Sequence, residues 1–295
     1  MTKIKSPVII GGIGGSGTRV VAQILKALHF YIGHDLNIPL DNLSYTLLFK
    51  RKKWFYKNHN NKKEIFKGLK ILEKSITQTN PKYNISEMNF LFKSTASMFI
   101  HGHNLNKDGK GVWAVERLKK IIKGGVYHKN KYIGWGWKEP NSHLILPYLI
   151  DYYPNLKYIH TIRNGLDMAY SSNQQQLFNW AKLFNVDLTN TNVCLPETSF
   201  NYWLEANKRV IEIGKTMKKE AFHLVNFDKL ALKDEKEIKN LINFLGISFS
   251  KETEIEIMNI ISEPDTIGRH KTKQDEWLKK YKSNIFDNNQ FIENV

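Results

Sequence analysis

Gly12-Ile13-Gly14-Gly15-Ser16-Gly17-Thr18-Arg19 is a stretch suited to hold an anion. Four of the six residues from Gly12 to Gly17 have no Cβ. Such a loop can turn its backbone N–H groups inward and let a phosphate-like group approach the main chain. Ser16 and Thr18 add hydroxyls, and Arg19 adds a fixed cation. A tight turn ahead of a core helix is the plain alternative, although two glycines would suffice for that. Two nucleotide patterns can be laid on the loop. The Walker A pattern fails, because Gly12 and Gly17 have the right spacing but Thr18 stands where the lysine must be. The dinucleotide pattern G-x-G-x-x-G fits Gly12, Gly14 and Gly17, with Asp35 about where a ribose-binding acid belongs. A dinucleotide-binding oxidoreductase therefore stays open at this point. Further on, Gly33-His34-Asp35 places two candidate proton acceptors in one turn. The competing reading of that turn is a helix exit in which Asp35 caps the next segment.

The loop needs an element on either side to hold it. Val8-Ile9-Ile10 reads as a strand entering it. Val21, Leu25 and Leu28 form an apolar stripe at helical spacing leaving it, with Ile24 alongside. Phe30-Tyr31-Ile32 reads as a second strand edge. Residues 40–130 change character. Helical patterns run over 40–56, 62–79, 86–100 and 112–123, broken at Asn80-Pro81 and across 106–111. Arg51 to Tyr56 is both basic and aromatic, a combination that binds nucleic acid or carbohydrate, or simply forms the wet and buried faces of one helix. Residues 131–137 read as a strand, 143–153 as a helix, and Lys157 to Ile162 as a strand ending at Arg163. The helix after it is read through Ser172. Strands alternating with helices imply a parallel sheet whose ligands lie beyond the carboxyl ends of the strands, where Ser16, Lys138 and Arg163 fall.

Composition narrows the partners. In 295 residues, 44 Lys and Arg face 28 Asp and Glu, a formal charge of +16. That balance favours nucleotides, sulfated or phosphorylated sugars, nucleic acid or a membrane surface, with part of the excess being solvated surface lysine. One cysteine, Cys194, excludes an internal disulfide and a cysteine-only metal site. No apolar run reaches transmembrane length and no leader pattern opens the sequence, so the expectation is a cytoplasmic protein with no transmembrane segment.

Tyr158-Ile159-His160-Thr161-Ile162-Arg163-Asn164-Gly165-Leu166-Asp167-Met168-Ala169-Tyr170-Ser171 resembles the 3′-phosphate motif of sulfotransferases that use 3′-phosphoadenosine 5′-phosphosulfate (PAPS). Arg163 and Ser171 have that family's spacing of eight, and Asn164 replaces its common Asp. Ser16-Gly17-Thr18 resembles the centre of the family's 5′-phosphosulfate loop, with Gly15 in the usual Lys/Arg position. Trp137-Lys138-Glu139-Pro140, the strand Leu224-Val225-Asn226-Phe227, Phe244-Leu245-Gly246-Ile247 and the basic run Arg269-His270-Lys271-Thr272-Lys273 before Trp277 follow in the family's order. The layout is similar to tyrosylprotein and carbohydrate sulfotransferases.

The resemblance implies an α/β fold, a three-layer sandwich around a parallel sheet of P-loop NTPase-like topology. It would form one domain over residues 1–295, with a helical insertion at about 36–130 on the acceptor side. It implies sulfuryl transfer from PAPS, a nucleotide co-substrate, to a hydroxyl or amine acceptor, with saccharide and peptide tyrosine both open and no metal required. Gly14, Gly15, Ser16, Gly17, Thr18 and Arg19 would hold the 5′-phosphosulfate. Arg163 and Ser171 would hold the 3′-phosphate, with Arg269, Lys271 or Lys273 closing over it. Lys138 would be the cation on the migrating group, and Asp35, narrowly ahead of His34, the base. Glu139 and His143 are next in line. No nucleic-acid motif accompanies the basic charge, and a kinase would need the absent Walker lysine.

Overall fold

The computed structural model describes residues 6–101, 110–128, 130–189, 194–248 and 250–282; the backbone alone is described at 100, 101, 110 and 280–282. In chain order the elements begin with β1 (Val8–Gly12), α1 (Thr18–Ala27), β2 (Phe30–Tyr31), α2 (Leu43–Phe49) and α3 (Lys52–Asn58). Next come α4 (Lys62–Thr77), α5 (Ile85–His101), α6 (Lys110–Lys123), β3 (Gly134–Lys138), α7 (Leu146–Tyr152) and β4 (Lys157–Ile162). The remainder are α8 (Gly165–Ala169), α9 (Gln175–Trp180), α10 (Leu195–Thr216), β5 (Phe222–Asn226), α11 (Phe227–Ala231), α12 (Glu235–Leu245), α13 (Lys251–Ile260) and α14 (Glu276–Lys282). The strands form one five-stranded sheet in the order β2-β3-β1-β4-β5, with β2–β3 and β4–β5 parallel. The fold is α/β, a parallel sheet flanked by helices. None of the described helices is long and apolar enough to cross a membrane.

The chain divides into two compact units, and the boundary passes through β1. The first comprises Met1–Ile9, Leu28–Glu139 and Leu144–Leu156. It contains the helices α2 to α6 of the stretch read as an insertion. Asn61 caps α4 by accepting from the Glu64 N–H, and Ile65, Leu69, Leu72 and Ile76 bury its apolar face. The single helix expected over 40–56 is in fact two. Arg51 is extended (φ −94°, ψ 90°) and its guanidinium donates twice to the Leu48 carbonyl, at 3.1 and 2.9 Å, while stacking over Trp54. An arginine that caps a carbonyl and covers an aromatic ring is better satisfied in this break than exposed on a continuous helix. Behind β3, Trp135 and Trp137 pack on Tyr153 with centroids 6.1 and 6.2 Å apart.

The second unit comprises Ile10–Ala27, Pro140–His143 and Lys157–Val295. In it α1 buries Val21, Ala22, Ile24 and Leu25. The register of β4 on β5 runs from Tyr158 opposite Phe222 to Ile162 opposite Asn226. Asn226 closes β5 and caps α11, accepting from the N–H groups of Asp228 and Lys229. The helix after Arg163 is shorter than its sequence reading. It ends at Ala169, and Ser171 lies beyond it. The cause is Gln174, whose amide donates to the carbonyls of Met168, Ala169 and Ser171 at 3.2, 3.1 and 2.9 Å, taking up the C-terminal acceptors that another turn would have used.

Candidate functional site

In the second unit the glycine loop closes on itself before α1. The Ser16 N–H donates to the Ile13 carbonyl at 3.0 Å, and Val20 N–H to Gly17 at 3.0 Å. Gly15 and Gly17 have φ of +94° and +90°. At Gly17 only glycine fits: a Cβ there would lie 1.9 Å from Cδ2 of Phe227. Thr18 and Arg19 begin α1, so the helix's own bonding leaves their N–H groups over. The Ser16 hydroxyl is buried without a hydrogen-bond partner. Thr18 is buried, whereas Arg19 is exposed. One loop donor is already used, since Gly14 N–H reaches the Gln176 side-chain oxygen at 3.1 Å.

Arg163, just past β4, leans over this loop. Its Nη1 donates to the Gly15 carbonyl at 3.4 Å and its Nη2 to Thr266 Oγ1 at 2.8 Å. Its guanidinium lies 5.4 Å above the Phe227 ring, and its Nε is buried without a partner. Ser171 also lies at the loop: a Cβ placed on Gly15 would lie 3.9 Å from its hydroxyl oxygen. Arg163 and Ser171 therefore converge on Gly15, Ser171 by way of a loop and not along a helix. Asn164 caps α8, accepting from Asp167 N–H at 3.1 Å, which an Asp at that position would also do.

The C-terminal basic run completes this group. Arg269 donates from Nη1 to the Tyr170 carbonyl at 3.5 Å, and its Nε too is buried without a partner. Burial lowers the Arg163 pKa, the neighbouring Arg269 charge lowers it further, and Asp228 and Asp167 act against both. Burial lowers that of Arg269 as well. Lys273 is exposed and sits over the Tyr170 ring at 5.5 Å, and Lys271 is also exposed. Buried Thr161, on β4, also has an unpartnered hydroxyl.

In the first unit the predicted cation Lys138 and the predicted base candidates have protein partners. Lys138, 2% exposed, ends β3 and pairs with Asp41 while donating to the Pro39 carbonyl at 3.1 Å. The Lys138 carbonyl accepts from Asn42 N–H at 2.8 Å, which holds the Asp41 turn against the strand end. Asp41 also accepts from the Asn37 amide at 3.0 Å. Asp35, 1% exposed, is paired with Arg117 at 3.0 Å and Lys120 at 2.9 Å, so each of its oxygens faces a cation. His34 Nε2 lies 3.3 Å from the Lys120 carbonyl, and burial lowers its pKa. Glu139 accepts from Lys50 at 3.0 Å. In the second unit His143 is fully buried with neither ring nitrogen hydrogen-bonded, and burial sets its pKa well below the usual range.

Several members of these groups escaped the sequence reading. Asp41, Gln176 and Thr266 lie in no motif; Thr161 lies inside the arginine motif without a role assigned to it there, and Gln176 follows that motif closely. Asp41 is 97 residues from its partner Lys138.

The chain matches the sulfotransferase family over residues 7–251. No curated protein matches its sequence. Among solved structures it is similar to the sulfotransferase domain from the curacin biosynthetic pathway, with 14% identity, 85% of this chain and 77% of that one covered, and a TM-score of 0.40. It is also similar to sulfotransferase STF1 from Mycobacterium tuberculosis H37Rv, with 11% identity, 87% and 72% covered, and a TM-score of 0.39. A third is the sulfotransferase domain from the Synechococcus PCC 7002 olefin synthase, with 13% identity, 94% and 83% covered, and a TM-score of 0.39.

Proposed function

The chain belongs to the sulfotransferase family, and we propose that it moves the sulfuryl group of PAPS to a hydroxyl acceptor, a saccharide or a peptide tyrosine. The observation that supports this most is a group of four unsatisfied polar atoms, on the glycine loop, near the end of β4 and in the basic run. Ser16 Oγ, Thr161 Oγ1, Arg163 Nε and Arg269 Nε are all buried without partners. Each such group costs about 1–3 kcal/mol if left so. A ligand rich in acceptor oxygens removes that cost, and the two adjacent guanidiniums call for an anionic one.

On this reading, Gly14 to Arg19 hold the 5′-phosphosulfate, with the leftover N–H groups at the start of α1 and the Ser16 hydroxyl as donors. Arg163, Ser171 and Arg269 hold the 3′-phosphate. Lys271 and Lys273, both exposed, add positive charge that raises the encounter rate with an anion. Bound there, the nucleotide supplies an activated sulfuryl group and a phosphate leaving group. Lys138 is proposed as the cation that stabilises charge developing in transfer. Its partner Asp41 is better suited than Asp35 to take a proton, because Asp35 is occupied by two cations. The dinucleotide alternative needs Asp35 free for a ribose, and the same two ion pairs weigh against it.

The experiment is calorimetric titration with adenosine 3′,5′-bisphosphate, ATP and NAD. The bisphosphate should bind far more tightly than the other two, and at one hundred times its Kd should stabilise the fold by about 2.7 kcal/mol. A response to NAD alone, or equal responses to ATP and the bisphosphate, would overturn the reading.

A further inference from the structure

Arg269 stands in a turn that has little apolar packing of its own: none of the residues Arg269–Thr272 is buried. Besides the bond from Arg269 to the Tyr170 carbonyl, one carboxylate ties it to α8. Asp167, 1% exposed, accepts from the N–H of Gly268 at 2.7 Å, from the N–H of His270 at 3.1 Å, and from His270 Nδ1 at 2.6 Å. The two backbone donors belong to the residues on either side of Arg269, so the chain before and after it is tied to the same carboxylate. Asp167 is itself located by Asn164, which caps its N–H, and Asn164 directly follows Arg163. Burial raises the Asp167 pKa, but the hydrogen bonds from His270 and Gly268 outweigh it, so the net shift is downward and the group is held as a carboxylate.

The Arg269 charge acts on Arg163, so the two guanidiniums repel and Arg269 must be held in place against that repulsion. We propose that Asp167 is a positioning residue that latches the 268–270 turn to α8 and so holds Arg269 next to Arg163 before the nucleotide arrives. The short segment Arg163–Asp167 then sets both cations of the 3′-phosphate site, one directly and one through the latch. This rests on the nucleotide reading above. It adds that discrimination for the 3′-phosphate depends on a residue that does not touch the ligand. Preorganisation of this kind lowers the ordering cost of binding.

The test compares wild type, Asp167→Asn, Arg269→Ala and the double variant, each titrated with adenosine 3′,5′-bisphosphate and adenosine 5′-phosphate. Asp167→Asn should weaken the bisphosphate by about 10- to 100-fold and leave the monophosphate within about twofold. The double variant should bind the bisphosphate no worse than Arg269→Ala alone, because the latch acts through Arg269. Equal losses for both ligands, or additive losses in the double variant, would overturn the latch. Amide exchange of ligand-free protein supplies a separate readout. The Gly268 and His270 amides should exchange faster in Asp167→Asn, and unchanged exchange overturns the latch whatever the ligands do. If wild type does not prefer the bisphosphate, the nucleotide reading fails instead, and the exchange data still report the tether. Should Asp167→Asn not fold, His270→Ala removes one of the three bonds and spares the backbone pair. It should then show the same ligand selectivity of loss on a smaller scale, and a loss shared equally by both ligands would overturn the latch.

Discussion

Gly17→Ala separates two costs that glycine loops usually combine. The first is conformational: φ at Gly17 is +90°, where an L side chain costs about 1–2 kcal/mol. The second is steric. The new Cβ would lie 1.9 Å from Phe227 Cδ2 and 2.4 Å from Cε2 and Cγ, so the ring must move by more than 1 Å, roughly, to restore ordinary contact. Phe227 is buried at the start of α11, and overpacking of this kind costs about 1–3 kcal/mol. The sum is about 2–5 kcal/mol. Gly246→Ala is the internal control. Its φ is +69°, and a Cβ there meets nothing within 4 Å, so it carries only the conformational cost. Urea unfolding of both variants, with the midpoint and slope fitted together, gives the difference directly. Gly17→Ala should be the worse by about 1–3 kcal/mol. A result no worse than Gly246→Ala would refute the claim that Phe227 braces the loop. Because the Arg163 guanidinium rests on the same ring, the Gly17 variant should also lose bisphosphate affinity, which the Gly246 variant should keep.

Arg163→Ala should weaken the bisphosphate by about tenfold or more, the worth of a charge-assisted bond, with little change for a ligand lacking the 3′-phosphate; equal losses would indicate a structural role. Asp35→Asn removes the buried carboxylate shared by Arg117 and Lys120, leaving Arg117 only the exposed Glu116, and should cost about 3 kcal/mol in denaturant unfolding; intact stability with turnover lost would restore Asp35 as the base. Once an acceptor is known, Asp41→Asn should lower turnover by about 10²–10⁴-fold with nucleotide affinity retained, and unchanged turnover would remove it from the chemistry. His160 is buried and its pKa is pushed down to about 4, against an ordinary 6.5. The unfolded chain therefore binds its proton first as pH falls. Stability is full above about 6.5 and is lost between about 6.5 and 4, by about 3 kcal/mol in total. A thermal melt series across that range, compared with His160→Asn, should show a smaller acid loss in the variant, and identical slopes would contradict the assignment.

Local pattern carries much of this protein. Strand, glycine loop and helix follow from adjacent residues, because alternation and helical spacing are read within a dozen positions. The order of the arginine strand, the later strand and the basic run is likewise linear, and with it the parallel sheet and the family resemblance. Tertiary structure decided what each charged side chain faces. Ser171 reads as helical because nothing nearby signals the helix end; the end is imposed by Gln174 folding back. Asp35 looks free in a glycine turn, and only the packing of α6 supplies Arg117 and Lys120, more than 80 residues away. Asp41 and Asp167 acquire their roles the same way, one from the end of β3 and the other from a turn about 100 residues downstream. Ionisable groups take their chemistry from partners within a few ångströms, and sequence separation does not bound which partners those will be.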